Sequence, residues 1–194
     1  MKKLTLVIFL VLSTETLWAD SWLKNSDFSD GNTDWIGDGK VPSDYAEDSA
    51  MDGAADPITS KGLIVELKNT LWTKVRQDFR NKESEGTLKI TYMVSKDFSF
   101  SDKPEYYQNV PYQIDFGGWW DFNIPKGSWA VFITDMGAYH ENNFDFKPKP
   151  KPGEPQTVKE KIGGFDADSD KTIMLAFPPG KGMIVLLNVS IESN

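Results

Sequence analysis

Leu88-Lys89-Ile90-Thr91-Tyr92-Met93-Val94-Ser95 decides the fold. Leu88, Ile90, Tyr92 and Val94 alternate with Lys89, Thr91, Met93 and Ser95. That period of two marks an extended segment with one buried face, because successive side chains leave a strand on opposite sides. The period recurs in three further places. Leu63, Val65 and Leu67 oppose Glu66 and Lys68; Val75, Gln77 and Phe79 oppose Lys74, Arg76 and Asp78. Near the end, Val185, Leu187, Val189 and Ile191 oppose Leu186, Asn188, Ser190 and Glu192. These runs are rich in β-branched and aromatic residues, which suit a half-buried pleated surface. Trp129 to Ile133 and Ile173 to Phe177 are apolar on both faces, as expected of central strands covered on both sides or strands beneath a long loop. Turn chemistry separates the runs at Asn81 to Gly86, at Pro125-Lys126-Gly127 and at Pro178 to Gly182. Ser43 to Ala55 is the one place for a short helix. The pattern predicts an all-β, antiparallel sandwich or barrel.

Outside that pattern lies the first segment. Met1-Lys2-Lys3 is basic, Leu4 to Leu12 is an apolar run broken by Thr5, and Ser13 to Ala19 is more polar. This is the layout of a secretory signal peptide, with cleavage expected between Ala19 and Asp20. The apolar run is too short to span a bilayer, which takes about 20 residues. The expectation is an exported protein, periplasmic, extracellular or at the cell surface, with residues 1–19 as leader and 20–194 as a single domain. The chain has no cysteine, which excludes disulfides, thiolate metal sites and cysteine nucleophiles. An exported chain without disulfides fits a bacterial address. The net charge is −8, and loss of the leader, with two lysines and one glutamate, makes it one unit more negative. Such a surface repels phosphate backbones and anionic lipid, which argues against nucleic acid and membrane partners. Lys147-Pro148-Lys149-Pro150-Lys151-Pro152-Gly153-Glu154-Pro155 favours polyproline II and is read as an extended surface loop (147–155) within the domain.

Asn25-Ser26-Asp27-Phe28-Ser29-Asp30-Gly31-Asn32-Thr33-Asp34-Trp35 resembles the opening of carbohydrate-binding modules of families four, nine and twenty-two, which runs Asn-Gly-x-Phe-Glu, then Gly, then Trp. Trp72 to Phe79 followed by Leu88 to Val94, and the closing Phe177 to Val189, fit the same pattern in the same order. The resemblance implies a jelly-roll sandwich of galactose-binding-domain type, with a concave sugar-binding face on one sheet. It also implies a structural calcium, but two positions that would supply carboxylates are Ser29 and Asn188. Calcium wants several hard, preferably anionic oxygens. Asp27 and Asp30 are the substitute ligands available, and the expectation is that no calcium and no other cofactor is held. Phe28 and Trp35 read as core anchors around a turn that Gly31 permits.

Sugar rings offer C–H faces to aromatic rings and hydroxyls to planar polar groups, so the search is for aromatics on a polar strand face. In Trp119-Trp120-Asp121-Phe122-Asn123-Ile124, a strand would put Trp119, Asp121 and Asn123 on one face and Trp120, Phe122 and Ile124 on the other. Trp72 likewise shares a face with Lys74, Arg76 and Asp78. The candidate ligand-binding residues are therefore Trp119, Trp72, Arg76, Asp121, Asn123, Tyr106 and Tyr107. The competing reading puts each tryptophan under a loop, completing the core. His140, the only histidine, falls in a segment read as a loop, and no nucleophile motif accompanies it. The expected function is non-catalytic binding of a polysaccharide or oligosaccharide. The alternative is a structural or adhesive cell-surface or periplasmic protein that keeps the fold without a sugar site.

Overall fold

The computed structural model describes residues 21–40, 62–108, 110–114, 118–135, 138–145 and 150–194, with the backbone alone for 40, 110–114, 118–122, 135 and 138–145. The leader at 1–19 and the helix expected within Ser43 to Ala55 lie outside the described residues. In chain order the strands are β1 (Ile36–Gly37), β2 (Gly39–Lys40), β3 (Leu63–Glu66), β4 (Thr73–Asn81) and β5 (Glu85–Val94). Next come β6 (Ser99–Phe100), β7 (Val110–Ile114), β8 (Gly118–Phe122), β9 (Ser128–Asp135) and β10 (Ala138–Asp145). The chain closes with β11 (Gln156–Gly163), β12 (Ser169–Phe177), β13 (Gly180–Lys181) and β14 (Met183–Ser193). Among the described residues no helix is long and apolar enough to cross a membrane.

Two five-stranded antiparallel sheets make a jelly-roll sandwich. Sheet A has the order β1-β4-β12-β9-β10 and sheet B the order β11-β5-β14-β3-β2. Inward residues follow the alternation: Val75 and Phe79 on β4 and Leu88, Ile90, Tyr92 and Val94 on β5 all join one buried cluster. At its centre Trp129 stacks on Phe177 at 5.2 Å and meets Tyr92 edge-on at 6.1 Å. β11, β12 and β14 follow the proline-rich segment in sequence, yet they pair with β5, β4 and β3, which precede it.

The closing strand departs from the expected alternation. Leu186 pairs with Tyr92 and Asn188 with Thr91, so Leu187 is an extra residue, a β-bulge. A bulge advances the side-chain phase by one position. Ile184 and Leu186 therefore face the core before it and Val189 and Ile191 after it. Val185 and Leu187, expected inside, belong to the opposite face. A second correction concerns His140: its segment is not a loop but strand β10, with His140 in register with Ile133. No apolar alternation marks that stretch in the sequence. β11 was equally hidden. Lys159, Glu160 and Lys161 give it the charged character with which edge strands discourage unwanted pairing.

The first described segment straps the sandwich. The Trp22 amide donates to Ile191 O (2.8 Å) and the Val189 amide to Ser26 O (2.8 Å), so residues 22–26 flank β14 beyond the end of β3. On the other sheet, buried Gln77 accepts the Lys24 amide on Oε1 (2.8 Å) and donates Nε2–H to Lys24 O (2.9 Å). The following turn buries Phe28 against Trp35, ring centroids 5.4 Å apart. Gly31 takes φ +61 there, and Phe28 itself sits at φ +54, a conformation rare for a bulky side chain.

Candidate functional site

The outward face of sheet A is apolar at its centre and polar toward β4. Ala130 and Phe132 on β9 and Met174 and Ala176 on β12 point away from the sandwich core, yet all four are buried. Their cover includes Tyr107 and Ile124, with Trp72 and Tyr106 packed against the same cluster. This second layer is why the β9 and β12 runs are apolar on both faces, as read from the sequence.

Local hydrogen bonds hold the described part of the cover. A 3-10 turn, Pro104–Tyr106, directs Tyr107 inward, and the Ile124 amide donates to Tyr107 O (2.9 Å). That bond closes the base of a hairpin in which β7 pairs with β8 and with neither large sheet. Tyr107 is 2% exposed, and its hydroxyl donates to Ser101 O. Burial pushes its phenol above the usual value, opposed by a hydrogen bond from the Gly127 amide and reinforced by Asp102. A ring so enclosed is packing material. Tyr107 therefore departs from the expectation of a ligand contact, because the apolar centre of sheet A needs a lid.

Trp72 lies at the margin of this layer, half-buried. Its Nε1–H donates to Tyr106 O (2.9 Å), and its ring meets Tyr107 edge-on at 6.4 Å. The outward side chains of β4 continue the surface from it. Lys74 is half-buried, and burial holds its ammonium below the ordinary lysine value while Asp38 opposes the shift. Arg76 is half-buried and in register with Met174, and exposed Asp78 accepts the Thr172 hydroxyl at 2.6 Å. The face thus offers a fixed indole, two cations, a carboxylate and a hydroxyl in sequence along β4 and β12.

Trp72, Arg76 and Tyr106 are brought to this face, Tyr106 half-buried beside Trp72. Asn123 is exposed where the hairpin rejoins the sheet, next to Ile124. Trp119 and Asp121 are in β8, in register with Gln113 and Pro111. Their side chains lie outside the described residues, as do those of Trp120 and Phe122, expected to share a buried face with Ile124. Thr172 was missed, because its meeting with Asp78 depends on the β4–β12 register, which no local pattern reports.

The calcium positions implied by the resemblance gather elsewhere, on the outward face of sheet B. Asp27, Ser29 and Asn188 line one recess there, with Lys89 and Glu192; Asp30 is not among its lining residues. Calcium takes about six to eight oxygens, several of them anionic. Two carboxylates beside an ammonium do not fit that requirement. Among the described residues no group of three His, Cys, Asp or Glu is placed to hold a metal ion.

No family model matches the sequence, and no curated protein matches it. The fold is similar to that of a carbohydrate-binding module. TmCBM61, solved in complex with beta-1,4-galactotriose, is 10% identical with TM-score 0.55, over 90% of this chain and 99% of that chain. A family 11 carbohydrate-binding module from Clostridium thermocellum, in complex with beta-1,3-1,4-mixed-linked tetrasaccharide, is 11% identical with TM-score 0.49, over 89% and 95%. At such identities the likeness concerns the fold, a sandwich of carbohydrate-binding-module type.

Proposed function

We propose that this chain binds glycan without cleaving it, on the outward face of sheet A, as an exported protein from which residues 1–19 have been removed. The observation that carries the reading is Trp72, only partly buried where the apolar layer meets the polar side chains of β4, and fixed by its Nε1–H bond to Tyr106 O. A tryptophan that served only as filler would have its ring enclosed, as Trp129 does. A ring fixed before binding costs little ordering entropy when a ligand arrives, and its face suits the C–H side of a sugar. Arg76, Asp78 and Lys74 supply donors and acceptors for hydroxyls along the same strand. Trp119, Asp121 and Asn123 extend the site along the hairpin in this proposal, and Tyr106 contributes as the support of Trp72. The ordered motifs from Asn25 to Val189 favour kinship with families four, nine and twenty-two, and the continuity of both sheets across the proline-rich segment supports one domain for residues 20–194.

Affinity electrophoresis through gels containing neutral polysaccharides, β-1,4-galactan and mixed-linked β-glucan among them, tests the reading. Retention of the native protein by at least one polymer, and loss of that retention in Trp72→Ala, is the expected result. Truncating a tryptophan at the centre of a binding surface typically costs about 2 kcal/mol, or about thirtyfold in affinity. A Trp72→Ala protein that melts cooperatively and is retained as strongly as wild type removes the site. Failure of the native protein to bind any polymer on a broad array, with self-association instead, favours a structural or adhesive role.

A further inference from the structure

The outward face of sheet B carries a recess of about 720 Å³. Its floor is Lys89 and Thr91 on β5 with Asn188, Ser190 and Glu192 on β14. Its wall is the strap, contributing Asn25, Ser26, Asp27 and Ser29. The wall is held rigidly. The Val189 amide bonds Ser26 O (2.8 Å), and Asn25 Nδ2 donates to Gly31 O (3.0 Å) and Thr33 O (2.9 Å) while its Oδ1 accepts the Asp30 amide (3.0 Å). In the floor the β14 bulge places Asn188 at the recess. Its Oδ1 is buried and, among the described residues, receives no hydrogen bond. A buried acceptor left without a donor is costly, and such atoms are normally satisfied by protein groups or ordered water.

We infer that this recess is a second binding site, for a neutral polyhydroxylated ligand such as a sugar ring. The lining chemistry selects that class. Serine, threonine and asparagine groups both donate and accept; Asp27 and Glu192 accept, and Lys89 donates. Two carboxylates repel a phosphate or sulfate, whereas the ammonium and the small acid count disfavour a divalent cation. Among the lining residues there is no aromatic, so recognition here rests on hydroxyl hydrogen bonds and not on stacking. The site lies on the opposite sheet from Trp72 and does not depend on the reading of sheet A. Two sites facing opposite ways let one molecule engage two chains of a polymer.

Titration of the isotope-labelled protein with lactose and with cellobiose, followed by amide NMR, tests the inference. The expected result is movement of the Ser26, Asn188 and Ser190 resonances on addition of at least one sugar. That movement should persist in Trp72→Ala and weaken about tenfold in Asn188→Leu and in Lys89→Ala, each of which removes a polar partner. Lys89 is a half-buried outward side chain of β5, so Lys89→Ala keeps the test valid if Asn188→Leu disturbs the strand. Absence of movement at those resonances with about 100 mM of either sugar overturns the inference, since that concentration saturates even millimolar binding. Response of the same resonances to calcium chloride or inorganic phosphate but to neither sugar also overturns it. Loss of the effect in Trp72→Ala alone would assign the binding to sheet A and refute an independent site.

Discussion

Replacing Phe28 with glycine should destabilise the protein less than replacing it with alanine, the reverse of the ordinary ranking in a folded segment. Both substitutions delete a ring that is 1% exposed and packed on Trp35, so both incur the cavity cost of a buried phenylalanine, about 3–5 kcal/mol. They differ in the backbone. At φ +54 a Cβ crowds the following carbonyl, at about 1–2 kcal/mol, and glycine has no such atom. Glycine gives back about 0.4–1 kcal/mol through the greater freedom of its unfolded chain. The difference favours glycine by about 0.5–1 kcal/mol, or about 1–4 °C in Tm for a chain of this size. Urea unfolding followed by tryptophan fluorescence, with thermal melts alongside, measures it. An alanine variant as stable as the glycine variant, or more so, would refute the claim that the turn holds residue 28 in a strained, left-handed state.

Gln77→Ala removes both bonds to Lys24 and should cost about 2 kcal/mol while accelerating amide exchange at Lys24; unchanged protection there would show that the strap is held by other contacts. Burial pushes the Tyr92 phenol up to about 12, and its ordinary value is 10.0. The neutral form is the one the core accepts. The stability it contributes is therefore complete below about pH 10, the unfolded value, and is lost as pH rises from there toward about 12. Tyr92→Phe should flatten the alkaline fall of the urea midpoint across that window; an identical fall in both proteins would assign the alkaline loss to other groups.

Much of the sandwich was legible because β4 and β5 each bury one face, and burial of one face is written directly into alternation. The doubly apolar β9 and β12 also announced their two covers, although not what the outer cover was. β10 and β11 were illegible for the opposite reason. Edge strands have less to bury, so Lys159 to Lys161 and the stretch around His140 carry no periodic mark. The bulge at Leu187 is likewise silent in sequence, since Val185 and Leu187 continue the apolar rhythm straight through a change of phase. The outward placement of Trp72 and Arg76 was legible from the alternation with Val75, Gln77 and Phe79. Tyr107 was misjudged because two adjacent tyrosines in a proline-flanked loop look alike until one of them is needed as a lid. The Asp78–Thr172 contact and the sheet B recess join residues far apart in the chain. In the sequence Ser29 and Asn188 stand out only as altered calcium positions, and Asp27 only as a substitute ligand.

The Ile124 amide tied to Tyr107 O works as a clasp. The described residues between the two are joined at their base and take no part in the pairing of either large sheet. What lies inside the clasp can consequently be lengthened, shortened or rewritten with little disturbance to the body that carries it. Selection for a new target can act there while selection for folding acts elsewhere, the same division of labour that lets a tool change its bit and keep its handle.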